Sequence, residues 1–348
     1  MLPRIHVVLL LASITAGLTA NSRAEDTLLF DSEENLEIVL EFPVRTLLKR
    51  AKKKPVLQGQ LRYVDASGNE VALDIDITTR GRSRLEHCSF PPLSVFLNPD
   101  QVASTLFAGQ QKLKIVTHCN NGSTYLRYLH QEFGIYKTYH LLSEYSFRVR
   151  MLNVTYRDME RKRRDDVRLA FFIESDNEVA RRLGMKKVKT KTIASHQFDP
   201  AQTNIFELFQ YLIANTDWAI KKGPGTENCC HNAKVIAKPD AQDNWIVLPY
   251  DFDQAGIIDS KYALPSLALG IRTVRHRLYR GRCRHNDYLG QTIQLFNERR
   301  QDIEIANTPQ ALNKKARQSS LKYLGVFYET VNDPAKLKKK IVDVCRGA

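Results

Sequence analysis

Apolar and polar residues alternate through much of the first half of the chain. A period of two marks strands with one buried face. "LEIVLEFPV" (36–44) alternates in this way. "LQGQLRYVDASGNEVALDIDITTRG" (57–81) holds two alternating runs around a turn at Ala66–Asn69, which predicts a β-hairpin. "PLSVFLN" (92–98) and "QKLKIVTHC" (111–119) read as two further strands. The spacing then changes. "TYLRYLHQEFGIYKTYHLLSEY" (124–145) carries apolar residues at helical intervals, with an interruption expected near Gly134. "SFRVRMLNVTYRD" (146–158) and "DVRLAFFIES" (166–175) return to the strand pattern and are expected to pair across a charged turn.

From Asn177 the texture becomes helical. "NEVARRLG" (177–184) predicts a short helix stopped by Gly184. "DPAQTNIFELFQYLIANTDW" (199–218) predicts a strong helix whose apolar face runs through Ile205, Leu208, Phe209, Leu212 and Ile213. "CHNAKVIAKP" (230–239) and "NWIVLPY" (244–250) predict a small hairpin, and residues 284–345 read as helical. A strand-rich half followed by a helix-rich half predicts an α+β fold with segregated layers, crossing near Glu174–Asn177. A length of 348 residues suits two domains or lobes. These are drawn at 25–175 and 176–348.

Composition adds compartment and partners. At 43% hydrophobic and 26% charged the chain is ordinary globular material. Its start has Arg4, an apolar run from Val7 to about Ala20, and small residues at Ser22 and Ala24. This predicts a bacterial secretory signal over residues 1–24, with an uncleaved anchor as the alternative. A periplasmic or secreted protein follows, and no transmembrane segment is expected after cleavage. Six cysteines, none in a C-x-x-C pair, point to disulfides rather than a zinc knuckle. Cys88 with Cys119 is the favoured pair, and the adjacent Cys229 and Cys230 are expected to bond to different partners. The net charge of +14, with basic runs at 49–54, 161–166, 186–191 and 275–285, favours anionic partners. Export turns that expectation from nucleic acid towards an anionic envelope surface or nucleotide phosphates.

Three polar positions in the second half carry the candidate chemistry. Asp217 ends the strong helix, Asn232 opens the hairpin, and Asp251 follows its second strand in "LPYDFD". Magnesium takes hard oxygen ligands, commonly one or two carboxylates plus substrate phosphates. A further carboxylate beside the metal can deprotonate a hydroxyl. Base, then metal-binding Asn, then metal-binding Asp is the chain order of phosphoryl-transfer enzymes of the protein-kinase type. Each residue taken singly also suits a cap or a turn. The H-E-x-x-H and G-x-S-x-G patterns are absent, which removes the simplest zinc-protease and serine-hydrolase cases.

"ANTDW", "HNAKVI" and "NWIVLPYDFD" resemble the CotH kinase family, secreted or surface proteins with an atypical protein-kinase-like fold. "TTRGRSR" (78–84), "FAGQQKLKI" (107–115), "TYLRYLHQEFG" (124–134) and "LAFFIESDNEVARRLG" (169–184) extend the likeness over roughly 70–260. The resemblance implies a two-lobed kinase-like fold using ATP with Mg²⁺ or Mn²⁺. It implies Asp217 as the catalytic carboxylate, Asp251 and Asn232 on the metal, Asp253 as a helper, and Glu174 at a hinge near the nucleotide base. The family's phosphate-binding strand lysine is missing from "CSFPPLSVFLN". Lys114 is the favoured substitute, with Lys112, Arg80 and Arg82 as alternatives and Glu132 as the lysine's partner. The expected function is phosphoryl transfer from ATP to a protein or other hydroxyl acceptor. The alternatives are a catalytically silent module that holds an anionic envelope component or partner protein, and metal-dependent hydrolysis or nucleotidyl transfer.

Overall fold

The computed structural model describes residues 28–225 and 228–347. The expected signal at 1–24 lies outside the described residues. Seven strands form a closed barrel in the order β1-β2-β3-β4-β5-β7-β6. They are β1 (Leu36–Phe42), β2 (Leu57–Val64), β3 (Glu70–Thr79), β4 (Leu93–Leu97), β5 (Lys112–Val116), β6 (Val149–Asp158) and β7 (Asp166–Ile173). A small sheet, order β10-β9-β8, holds β8 (Lys186–Lys187), β9 (Ala233–Ala237) and β10 (Ile246–Pro249). The helices are α1 (Val44–Lys49), α2 (Ser83–His87), α3 (Pro99–Val102), α4 (Ser123–Leu142), α5 (Asp176–Arg182), α6 (Pro200–Ile213), α7 (Leu289–Glu298), α8 (Arg300–Ala306), α9 (Lys314–Asn332) and α10 (Pro334–Leu337).

Local signals explain these elements well. In the β2–β3 turn the Asp65 carboxylate accepts the N–H groups of Ser67 and Asn69 at 2.9 and 2.8 Å. Gly68 supplies the left-handed residue there, at φ +83°. Helix α6 opens with Asp199, which accepts the Gln202 N–H at 2.8 Å, and with Pro200 in its first turn. Inward residues of the barrel, among them Leu40, Leu61, Ile77, Leu113, Val154 and Phe172, fill its interior as one apolar cluster.

The two-lobed kinase-like architecture expected from motif order is not what the chain forms. The strand-rich half closes on itself, because β1 pairs parallel with β6 from Leu36↔Leu152 to Phe42↔Asp158. Alternation shows which face of a strand is buried, but it does not name the strand's partner. The helices do not form a separate lobe either. Val149 and Met151 of β6 and Phe171 and Ile173 of β7 share one core with α4, α6 and α9. The two halves therefore join through a continuous apolar layer.

Helix α4 runs unbroken through Gly134. The reason for glycine is a close crossing: a Cβ there would sit 2.3 Å from the carbonyl oxygen of Ala306, at the end of α8. Asn307 locks the same crossing by donating to Thr138 Oγ1 at 2.7 Å. Cys88 bonds to Cys119 and Cys283 to Cys345. Contrary to expectation, Cys229 and Cys230 bond to each other. The other four cysteines are committed elsewhere, and both sulfurs lie against the Ile220 carbonyl. Among the described residues no helix is long and apolar enough to cross a membrane. Three disulfides are compatible with an extracellular protein.

Gly134→Ala tests the crossing. Helix propensity alone would favour alanine by about 1 kcal/mol. The clash with fixed backbone outweighs that, so a net loss of about 1–2 kcal/mol is expected in denaturant unfolding.

Candidate functional site

Three turns bring the acids together. After α6, Ala214 takes a left-handed conformation at φ +51°. Asn215 then accepts the Asp217 N–H at 3.0 Å, and the Trp218 indole donates to the Asn215 carbonyl at 3.0 Å. This tight knot projects Asp217. Before β9, Asn232 sits at φ +46°, and after β10, Asp251 sits at φ +63°. The Asp251 N–H donates to the Tyr136 hydroxyl at 3.2 Å. Phe252 is fully buried against Tyr136 and Phe209, with ring centroids 4.7 and 5.6 Å away. With that ring in the core, the Asp253 carboxylate next to it reaches Arg84 of the barrel side.

The barrel answers with cations. Strand β3 ends at Thr79, and Arg80, Gly81 (φ +89°) and Arg82 lead into α2. Arg80 donates to the Tyr250 hydroxyl at 2.7 Å and to the Leu93 carbonyl at 3.2 Å. Arg84, 7% exposed, donates from Nε to Asp253 Oδ2 at 3.0 Å and from Nη2 to Glu132 Oε2 at 2.5 Å. Between these walls lies a cleft of about 590 Å³, lined by Lys54, Arg80, Arg82, Arg84, Asp217, His231, Asn232, Lys234, Tyr250, Asp251, Asp253 and Tyr262.

Of the residues singled out from the sequence, Asp217, Asn232, Asp251, Asp253, Arg80 and Arg82 share this cleft. The other four do not line it. Lys112 lies over the Phe96 ring at 4.8 Å. Lys114 sits behind Tyr250, 4.5 Å from its ring centroid, and 3.5 Å from Asp176. Glu132 pairs with Arg84 and with no lysine, because α4 places it beneath α2. Glu174 is wholly buried and taken by Arg182 at 2.9 Å, away from the cleft. Two contributors were passed over. Arg84 closes the "RGRSR" run, and its two-residue spacing from Arg82 and Arg80 was the available signal. The role of His231 had no signal beyond its place beside Asn232.

The site is electrostatically tense. Burial pushes the Glu132 carboxyl up to about 7, although Arg84 opposes the shift. Burial and then the neighbouring Asp253 carboxylate push Asp251 up to about 6. The buried Arg84 guanidinium pairs with Glu132 and Asp253, while Asp251 beside them feels both Arg84 and Arg80 without a direct pair. Asp217 is better solvated, with its side chain 43% exposed. Its Oδ1 meets His231 Nε2 at 2.8 Å, and its Oδ2 accepts from Asn232 Nδ2 at 2.8 Å. The hydrogen bond to Asp217 raises the His231 imidazole, so the ring holds its proton more firmly. Burial lowers the Lys114 ammonium to about 8, despite Asp176.

Among the described residues no set of three or more His, Cys, Asp or Glu side chains is arranged to hold a metal ion. A hard cation here would use fewer protein ligands. Asp251 fits that role, since no described donor hydrogen-bonds its carboxylate and its neighbour is a second acid. Asn232 presents its amide nitrogen to Asp217 and leaves its Oδ1 for another contact. Two such oxygens, completed by phosphate and water, suit Mg²⁺ or Mn²⁺. Asp253 is less available, because Arg84 holds its Oδ2.

No family profile, curated protein or solved structure matches the chain. The likeness to the CotH kinase family therefore stands on motif order alone.

Replacing Arg84 by methionine removes the partner of two buried carboxylates. A loss of about 3–5 kcal/mol is expected in denaturant unfolding. Adding Glu132→Gln should recover part of it, because one of the stranded charges is then gone.

Proposed function

We propose that the cleft binds a phosphate-bearing ligand, ATP being the first candidate, and transfers its phosphoryl group to a hydroxyl acceptor. The observation that carries this reading is the opposition of the cleft's walls. Guanidinium groups from one short turn face carboxylates drawn from two separate segments, with Asp217 the solvated one among them. Arg80, braced by Tyr250, together with Lys54 and Lys234, would neutralise and orient phosphate oxygens. Asp217, with both oxygens fixed by His231 and Asn232, would take the proton from the acceptor hydroxyl. Asp251 and Asn232 would hold Mg²⁺ or Mn²⁺, which when bound neutralises phosphate charge. The acceptor would be a protein or other hydroxyl-bearing molecule of the periplasm or extracellular space.

A second reading is a silent module on which an anionic envelope component rests without turnover. One observation favours it. Glu132, which would pair with a phosphate-binding lysine in kinase-type chemistry, is engaged by Arg84.

Calorimetric titration with ATP and Mg²⁺ or Mn²⁺ separates these readings. Metal-dependent binding is expected, and Asp251→Asn should abolish its metal-dependent part while tolerating the left-handed backbone. Asp217→Asn should keep binding and lower turnover about 10²–10⁴-fold. Binding without any turnover would leave the silent module, and no binding with either metal would sink both the ATP and the metal assignments.

A pH dependence follows from Asp251. Cation and proton compete for the same carboxylate, whose proton affinity lies at about 6. Metal affinity should therefore be full above that pH and fall progressively below it. The same titration, repeated on either side of pH 6, measures this.

A further inference from the structure

The segment from Ser260 to Arg272 forms one margin of the cleft, and its tip is apolar where solvent would favour polar residues. Leu264 is 79% exposed and Leu267 77%, the two highest values among the exposed large hydrophobic side chains. The tip is held, so the exposure is built in. Ile257, Ile258 and Ile271 are buried at its two ends. The Lys261 N–H donates to the Tyr128 hydroxyl at 3.0 Å, and the Leu264 N–H to Gln254 Oε1 at 3.0 Å. Leu267–Leu269 form a single 3₁₀ turn closed by Gly270 at φ +72°.

Cations flank these leucines along the segment and across the cleft. Lys261 and Arg272 lie on the same segment, both exposed. The Tyr262 ring stacks on His87 of α2, with centroids 5.6 Å apart and planes 11° from parallel. Helix α2 is in turn bridged to the basic run before β2 by the Lys52–Glu86 ion pair, and Lys54 of that run lines the cleft with Leu264. Of the acids nearby, Glu86 is engaged by Lys52 and Asp259 by Arg275, while the cleft that Leu264 lines also carries Asp217, Asp251 and Asp253.

We propose that this segment is an interfacial anchor, in which Leu264 and Leu267 enter an anionic lipid surface while Lys261, Arg272 and Lys54 contact its headgroups. Exposed leucines flanked by lysine and arginine are the composition that the boundary between headgroups and acyl chains selects. A second copy of this chain is disfavoured as occupant, because a two-fold contact at this patch would bring the same cations face to face. An anionic bilayer satisfies both the apolar tip and its charge. Docked in this way, the cleft mouth lies close to the lipid phosphates. The inference does not depend on phosphoryl transfer and would survive its failure.

The test is co-sedimentation of the purified protein with vesicles of phosphatidylglycerol mixed into phosphatidylcholine, compared with phosphatidylcholine alone. Binding to the mixed vesicles, weakened by salt, is expected. The double variant Leu264→Ser, Leu267→Ser should lose at least about tenfold in vesicle affinity, with its melting temperature unchanged. Ile305→Ser, at an exposed side chain on α8, should leave vesicle binding intact. The proposal is overturned if vesicles are not bound, if neutral vesicles bind equally, or if the double variant binds as the parent does. It is equally overturned if Ile305→Ser weakens binding to the same degree, or if light scattering shows a dimer that the double variant dissolves.

Discussion

The arrangement of the cleft rests on Arg84 being paired from two directions. Its guanidinium leaves the barrel's end on α2 and meets Glu132 from α4 and Asp253 from beyond β10. A buried cation between two carboxylates tolerates little displacement, since any member that moves leaves a charge unpaired in a poor solvent. The barrel, the long helix and the small sheet are thereby held in one register where their surfaces face solvent. Beneath them, Phe252, Tyr136 and Phe209 supply the apolar part of the same joint. Asp251 inherits its position from both layers.

This joint also explains how the site can attract ligands of either sign. The rim contributed by the β3–α2 turn is cationic, while the floor carries more carboxylates than Arg84 can satisfy. A bare anion would meet the arginines but be repelled by the floor. An anion that arrives with a divalent cation satisfies both. On the proposed reading, the electrostatics of the cleft would couple substrate and metal before any chemistry is considered.

Much of this was legible in the sequence, and what was not has a physical reason. The alternating runs located β1 to β7 closely, and the helical spacing located α4 and α6. Alternation is a local property, whereas closure depends on which strand lies beside which. The parallel β1–β6 pair joins segments far apart in the chain and has no local signature. Gly134 was misread for a related reason, as its cause is a neighbour's carbonyl rather than its own helix. Within the site, Asp217, Asn232 and Asp251 were visible because each lies beside an element with a strong pattern, although α6 stops at Ile213, four residues short of the Asp217 expected to end it. The strand lysines and Glu174 were overweighted because a motif order was read as geometry. In the fold, Asp176 and Arg182 had already claimed Lys114 and Glu174.

Asn232 and Asp251 share one backbone property: both occupy the left-handed region, at φ +46° and +63°. Apart from glycine, asparagine and aspartate are the residues that visit this region at least cost. The backbone thus narrows the set of side chains that either position accepts. Within that set, aspartate and asparagine interconvert by one charge and almost no change of shape. At Asp251, where no described donor hydrogen-bonds the carboxylate, that exchange removes one charge from the cleft and leaves the chain path fixed. At Asn232 it is not free, because an aspartate there would lose the amide that donates to Asp217 and set two carboxylates against each other.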